Sequence, residues 1–375
     1  MKILHYVRTL TSDGAGRMIR ALIGHTPHLT EVACEQDHVD LPMDGFPVHT
    51  HVGSRDLDNL LRCGGFDMIH WHWWTDLPAM KWLHESGARI PQVLTLHVYS
   101  QLPEYRLPDW VMTKVDRIGY ASTRSHELAC YKHLPPEKAH FIVAGVEMRE
   151  ALALTPQNHS GFHIGRCGAL DPDNCPPDLV RIFDRVDIPG ARFTVAGNGP
   201  LLEPMRQEAA RSHPGRYHFP GYLPNICSLL SQLDVYCHQM PGHSRAASDL
   251  NVQEAMTAGL PVVLLPSRGC RDMVLNEVSG LVVHSEDEMV LAVQRLYEEP
   301  ELREHLGRNA RSYAARFFGA HNTALGYHQL YAEALSCHGR PVMGHSTVDA
   351  ILPRVPAGTS PNVSNSPRPT PLGHA

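Results

Sequence analysis

A chain of 375 residues, 43% of them hydrophobic, is long enough for about two domains with substantial cores. Its formal charge of -6 and pI near 6.5 exclude a generally basic protein that coats nucleic acid. Nine cysteines, odd in number and without a C-x-x-C pair, exclude a disulfide framework and a cysteine-based zinc site, and fit a reducing cytoplasm.

The first strand is expected over 3–7, because the apolar run there is too short for a signal peptide. No later segment approaches the roughly eighteen uninterrupted apolar residues of a membrane span. Thr11-Ser-Asp-Gly14-Ala-Gly16-Arg17 makes a small-residue loop that opens a helix over 18–23, and its G-x-G lacks the third glycine of a dinucleotide fingerprint. A strand over 66–74 carries His70 and His72 on one side, since side chains alternate across a strand. Two histidines so spaced can ligate a metal, but no third ligand of suitable spacing is evident, so no metal and no cofactor are expected. The strand over 90–98 brings His97 to the sheet edge where α/β sites form; a hydrogen-bonded structural histidine is its alternative role.

A polar hinge near 155–160 precedes a strand that carries Arg166. Ala191-Arg-Phe-Thr-Val-Ala-Gly197-Asn-Gly199-Pro200-Leu201 reads as strand, glycine turn and helix start. Tyr217-His-Phe-Pro-Gly221-Tyr222, an amphipathic stretch over 226–233 and the strand Asp234-Val-Tyr-Cys-His follow. Ser248 is the expected N-cap of a helix whose Val252, Ala255, Met256 and Gly259 share one face, with Gly259 and Pro261 as the stop. The apolar run over 260–265 is a strand of the kind a parallel sheet buries on both faces. Glu254 projects away from the apolar face and needs a partner other than the core. Helices are expected over 286–298, with Ser285 and Glu288 as a capping box, over 301–318 and over 322–335. From 339 on, Pro, Ser, Gly and Thr dominate and disorder is expected.

Glu254-Ala-Met-Thr-Ala-Gly-Leu-Pro-Val-Val, followed by Gly280-Leu-Val-Val, resembles the E-A-M-A-x-G-x-P-V-V … G-x-L-V signature of glycosyltransferase family 4. The 11–17 loop resembles that family's G-G-A-E-R, with Asp13 and Gly16 departing from it; the strand with His70 and His72 resembles D-I-V-H-x-H; and Ala196-Gly-Asn-Gly199-Pro-Leu resembles V-G-D-G-P-L. The resemblance spans about residues 1–335. It implies an α/β protein of the GT-B fold, with two Rossmann-like domains facing across a cleft and a C-terminal helix that crosses back to the first. The corresponding boundaries are 1–157 for an acceptor-binding domain, 158–318 for a nucleotide-sugar-binding domain, 319–337 for the crossover helix and 338–375 for the tail.

By the same resemblance the activity is transfer of a hexose from a nucleotide-diphosphate sugar to a glycan or lipid-linked acceptor, with retention. That chemistry belongs to cell-surface polysaccharide or glycolipid synthesis, in the cytoplasm or peripherally on the inner face of the membrane. His97 and Arg166 are the implied catalytic residues. Gly197, Gly199, Gly221, Tyr222, Ser248, Asp249, Leu250 and Glu254 are implied to bind donor, Glu254 through the ribose hydroxyls, and Gly14, Gly16, His70 and His72 to face acceptor. Two departures stand out. The lysine that would accompany Arg166 on the diphosphate is absent, and Ala246 replaces a second Glu expected eight residues before Glu254. They favour, as an alternative, a non-catalytic subunit that binds nucleotide sugar or a partner enzyme; a nucleotide-sugar epimerase of the same fold is a second alternative.

Overall fold

The computed structural model describes residues 1–11, 14–36, 45–73, 78–85, 87, 89–99, 107–122, 124–125, 135, 137–157 and 159–339. Asp13 and residues 340–375, most of the expected tail, lie outside them. The first sheet comprises β1 (Lys2–Val7), β2 (Leu29–Cys34), β3 (Val48–His49), β4 (Met68–Trp73), β5 (Gln92–Leu96), β6 (Arg117–Tyr120) and β7 (Ala139–Phe141). They pair in the order β3-β2-β1-β4-β5-β6-β7, with parallel neighbours throughout. The order reverses between β1 and β4, and the crevice beyond the carboxyl ends of such a pair is where open α/β sheets bind ligands. All five residues of β5 are buried, as expected where helices cover both faces. Among those helices, α1 (Gly14–His25) starts earlier than its apolar face alone suggests.

The second sheet comprises β8 (His163–Cys167), β9 (Arg192–Ala196), β10 (Tyr217–Gly221), β11 (Val235–Gln239), β12 (Val262–Leu265) and β13 (Gly280–Val282). Its order is β10-β9-β8-β11-β12-β13, again parallel, with the reversal between β8 and β11. The apolar run over 260–265 supplies β12, whose Val262, Val263 and Leu264 are fully buried. It follows a helix over Leu250–Thr257, numbered α9 after α2 (Ser54–Gly64), α3 (Pro78–Glu85), α4 (Asp109–Lys114), α5 (Arg149–Leu152), α6 (Leu179–Asp184), α7 (Leu202–Ser212) and α8 (Cys227–Leu230). Helices α10 (Glu286–Glu298) and α11 (Pro300–Phe317) follow, and Ser285 caps α10 by accepting from the Glu288 N–H at 3.1 Å.

The last helix, α12 (Ala320–Ser336), returns to the first sheet. Its Tyr327, Leu330, Tyr331 and Ala334 share one buried cluster with Ile3, Ile69 and Leu94. The crossing is tight: the Gly145 N–H donates to Thr323 Oγ1 at 2.9 Å, and a Cβ on Gly145 would stand 2.2 Å from the Phe318 carbonyl oxygen. The two Rossmann-like halves also meet directly. Val98 and Ala246 form an antiparallel bridge, and Arg124 Nε donates to Asp272 at 2.8 Å. This is the GT-B architecture that the resemblance implied.

Candidate active site

A cleft of about 1450 Å³ runs between the carboxyl edges of the two sheets. On the second half, Arg166 rises from β8 at the strand reversal and is only 1% exposed. Its Nη2 donates to the Asn174 carbonyl at 2.7 Å, while Nε and Nη1 have no hydrogen-bond partner among the described residues. A buried guanidinium with two unmet donors is costly unless an anion meets it. Beside it the turn after β9 approaches the loop after β8 so closely that only glycine fits. A Cβ on Gly197 would lie 1.9 Å from the Gly168 carbonyl oxygen, and one on Gly199 2.3 Å from that of Leu170. Both glycines also hold positive φ, 142° and 150°. Gly197 and Tyr222 line the cleft, whereas Gly199 and Gly221 are not among its lining residues.

The cap of α9 is Asp249, not Ser248: Asp249 Oδ1 accepts from the Val252 N–H at 3.0 Å. Ser248 Oγ instead accepts from Gln253 Nε2 at 2.9 Å, and that amide also reaches the Ala144 carbonyl at 2.8 Å. Asp249 takes the cap because it holds the extended backbone of a cap residue, φ -129° and ψ 114°, from which its carboxylate reaches the Val252 N–H. Its other oxygen lies 3.2 Å from His238 Nε2. Burial opposes the charge on Asp249, but His238, the Val252 N–H and Arg166 outweigh it and hold the carboxyl at about 2, below its ordinary 3.8. A depressed carboxylate contributes stability above its unfolded value, and loses it as pH falls through about 2. Asp249→Ala removes the cap and should destabilise the protein by about 1 kcal/mol in urea unfolding at pH 7. The loss should shrink below pH 3.8, the value at which the unfolded chain takes up the same proton.

Glu254 finds the partner that the sequence required. Its Oε1 forms an ion pair with Arg17 Nη2 of α1 across the cleft, and its Oε2 is buried with no partner among the described residues. Burial raises the Glu254 carboxyl above its ordinary value, and Arg17 offsets part of that. Leu250 lies against Gly14, where a Cβ would be 3.8 Å from Leu250 Cδ1, so both stand at the same narrow part of the cleft.

On the first half only His97 and Gly14 of the expected residues line the cleft. Gly16 is packed instead: a Cβ there would sit 1.8 Å from the Thr11 carbonyl oxygen. His70 and His72 do not face acceptor. They are 0% and 4% exposed, because their side of β4 is the side that α12 covers. His70 contacts Tyr331 Oη at 2.8 Å and Thr95 Oγ1 at 2.6 Å. His72 contacts His97 Nε2 at 2.9 Å and His5 Nδ1 at 3.0 Å.

The third histidine that the sequence did not reveal is His5, opposite His70 in the β1–β4 register. One nitrogen from each of His5, His70 and His72 falls within 4.8 Å of the others, close enough to form a metal-ligand group. An ion there would add two positive charges to an interior where both nitrogens of His70 are already hydrogen-bonded. Two cleft groups escaped sequence reasoning, Arg17 and His238, as did the buried His5 behind His72. The signal for His238 was present, since it lies next to the last residue of β11, the strand beside β8 at the reversal of order.

Residues 156–313 match the model of the family described as glycosyl transferases group 1. Among its relatives, a D-inositol 3-phosphate glycosyltransferase of Jonesia denitrificans is 23% identical over 300 residues, 69% of this chain and 70% of that protein. The glycosyltransferase EpsD of Bacillus subtilis, itself described as putative, is 30% identical over 134 residues, 35% of this chain and 34% of EpsD. In three dimensions the chain resembles Anabaena HepE in complex with UDP, with a TM-score of 0.73 and 17% identity over 90% of this chain and 100% of HepE. With its two facing Rossmann-like halves the chain has the GT-B fold, and its 156–313 segment is similar to the glycosyl transferases of group 1.

Proposed function

We propose that this chain moves a hexose from a nucleoside-diphosphate sugar to a glycan or lipid-linked acceptor with retention, in the synthesis of a cell-surface polysaccharide or glycolipid at the cytoplasmic face of the membrane. The observation that carries the donor class is Arg166. A buried cation with two unmet N–H donors, opening on a cleft that also holds Glu254, is matched by a diphosphate next to a ribose. The sugar–oxygen bond breaks with charge collecting on the leaving diphosphate, and a fixed guanidinium in a dry site stabilises that charge without a metal. Because Asp249 already takes the Val252 N–H, the start of α9 offers a phosphate less than an uncapped helix would, and Arg166 carries the larger share. Solved complexes of Anabaena HepE contain UDP and UDP-glucose, which makes those the first ligands to try.

His97 belongs to the transfer centre in this reading. His97→Ala should lower kcat by roughly 100-fold while UDP affinity stays within about twofold. Parent-like turnover in a folded variant would make His97 structural. A second reading, a subunit that binds nucleotide sugar without turnover, is favoured by Ala246, which lines the cleft with a methyl group where the resemblance expects a carboxylate. Product analysis after incubation with UDP-glucose and a panel of acceptors separates the readings. Transferred or hydrolysed glucose supports the enzyme, an isomerised donor an epimerase, and tight binding with unchanged donor the subunit.

A further inference from the structure

The second half of the cleft holds a cation and an anion that do not pair. Arg166 is buried with Nε and Nη1 unmet among the described residues, and Asp249, its side chain 16% exposed, starts α9 beside it. A Cβ on Gly168 would stand 3.8 Å from Arg166 Nη1 and 3.6 Å from Asn251 Nδ2, so the open end of the guanidinium lies against the first turn of α9. Burial opposes the charge on Asp249, and Arg166, behind His238 and the Val252 N–H, is one of the groups that sustain it. In a dry site a guanidinium with open donors and a neighbouring carboxylate ordinarily close on one another, because the fork satisfies both. Here both carboxylate oxygens are already engaged. Oδ1 accepts from the Val252 N–H at 3.0 Å, and Oδ2 stands 3.2 Å from His238 Nε2.

A carboxylate only accepts, so the ring nitrogen that faces it carries its proton. The approach is a close electrostatic contact and not an aligned hydrogen bond, since neither ring nitrogen of His238 has a hydrogen-bond partner among the described residues. The ring is fixed from behind. It is 2% exposed and stacks on Tyr236 at 6.1 Å, and Tyr236 Oη donates to the Cys167 carbonyl at 3.1 Å. We infer that His238 is a positioning residue that keeps Asp249 on its helix cap and off Arg166, so that the guanidinium stays open for the donor's diphosphate. Without His238, Asp249 gives up the single Val252 N–H and closes on the two open donors of Arg166. A diphosphate must then displace a carboxylate from the group that binds it. This role rests on the reading that Arg166 meets the diphosphate.

The test is a cycle of variants of the full chain, read by calorimetric titration with UDP. His238→Leu, which removes the ring N–H, should weaken UDP binding roughly tenfold. Adding Asp249→Asn should restore most of that loss, because asparagine caps a helix as aspartate does and carries no charge to close on Arg166. A merely structural role for His238 gives no such rescue. His238→Gln, whose amide N–H can still donate to Asp249, should stay within about threefold of the parent affinity. The crystal structure of ligand-free His238→Leu should show the Asp249 carboxylate against Arg166 Nε or Nη1, and His238→Ala serves where His238→Leu does not fold. Unchanged UDP affinity in His238→Leu, affinity that stays low in the double variant, or Asp249 still on the Val252 N–H in the variant structure overturns the proposal. Parent-like UDP affinity in Arg166→Met sinks the diphosphate reading instead, while the variant structure still decides what His238 does to Asp249.

Discussion

Arg166→Met is expected to weaken UDP binding by about 100-fold while leaving the ligand-free protein within about 1 kcal/mol of the parent stability. The two halves of this result have separate causes. In the absence of ligand, Arg166 satisfies one carbonyl, that of Asn174, and holds Nε and Nη1 in the interior without partners. An apolar chain of similar length loses one hydrogen bond and removes an incompletely paired buried charge, and these oppose each other. With diphosphate bound, the same guanidinium makes charge-assisted hydrogen bonds, each worth about 1.5–3 kcal/mol. Calorimetric titration with UDP, alongside urea unfolding of the ligand-free protein, reads both. Unchanged affinity would remove Arg166 from the donor site; a large loss of stability would make it a structural cation.

Glu254→Gln and Arg17→Ala should move UDP affinity in opposite directions. Glutamine keeps the shape and loses the charge, so ribose hydroxyls that donate to the carboxylate lose about 1.5–3 kcal/mol, roughly 10- to 150-fold in Kd. Arg17 occupies Oε1 of the same carboxylate from the other half of the cleft. A ribose must displace it, and removing it should tighten UDP binding several-fold. Burial raises the Glu254 carboxyl, so the group takes up a proton at higher pH than a solvated glutamate and affinity should fall as the solution turns acidic. Flat pH dependence across the carboxylate range, with equal affinity in Glu254→Gln, would place the ribose elsewhere.

Local pattern made some of this molecule readable from its residues alone. The 260–265 run supplied the inner strand β12, with Val262, Val263 and Leu264 fully buried, because an unbroken apolar segment fits a sheet covered on both faces. Of the expected capping box, Ser285 caps α10 through the Glu288 N–H, a contact between near neighbours, while the Glu288 carboxylate accepts from the His284 N–H and not from that of Ser285. The two-domain fold and the crossover helix followed from motifs that occur in family order, and Arg166 and Glu254 fell in the cleft because strand ends and helix starts meet there. Partners far apart in the chain were not readable. Arg17 and Glu254 are 237 positions apart, and only the facing of the two halves pairs them. His70 and His72 alternate correctly along β4, but alternation does not say which side is covered, and α12, more than 230 residues later, covers theirs. The cap of α9 went to Asp249 and not to Ser248 because a helix start is decided by backbone torsion and not by residue type alone. Residue type and short-range spacing therefore determined which elements form and which chemistry they carry. Packing between elements decided which of those groups face the cleft, because burial and pairing depend on what arrives from elsewhere in the chain.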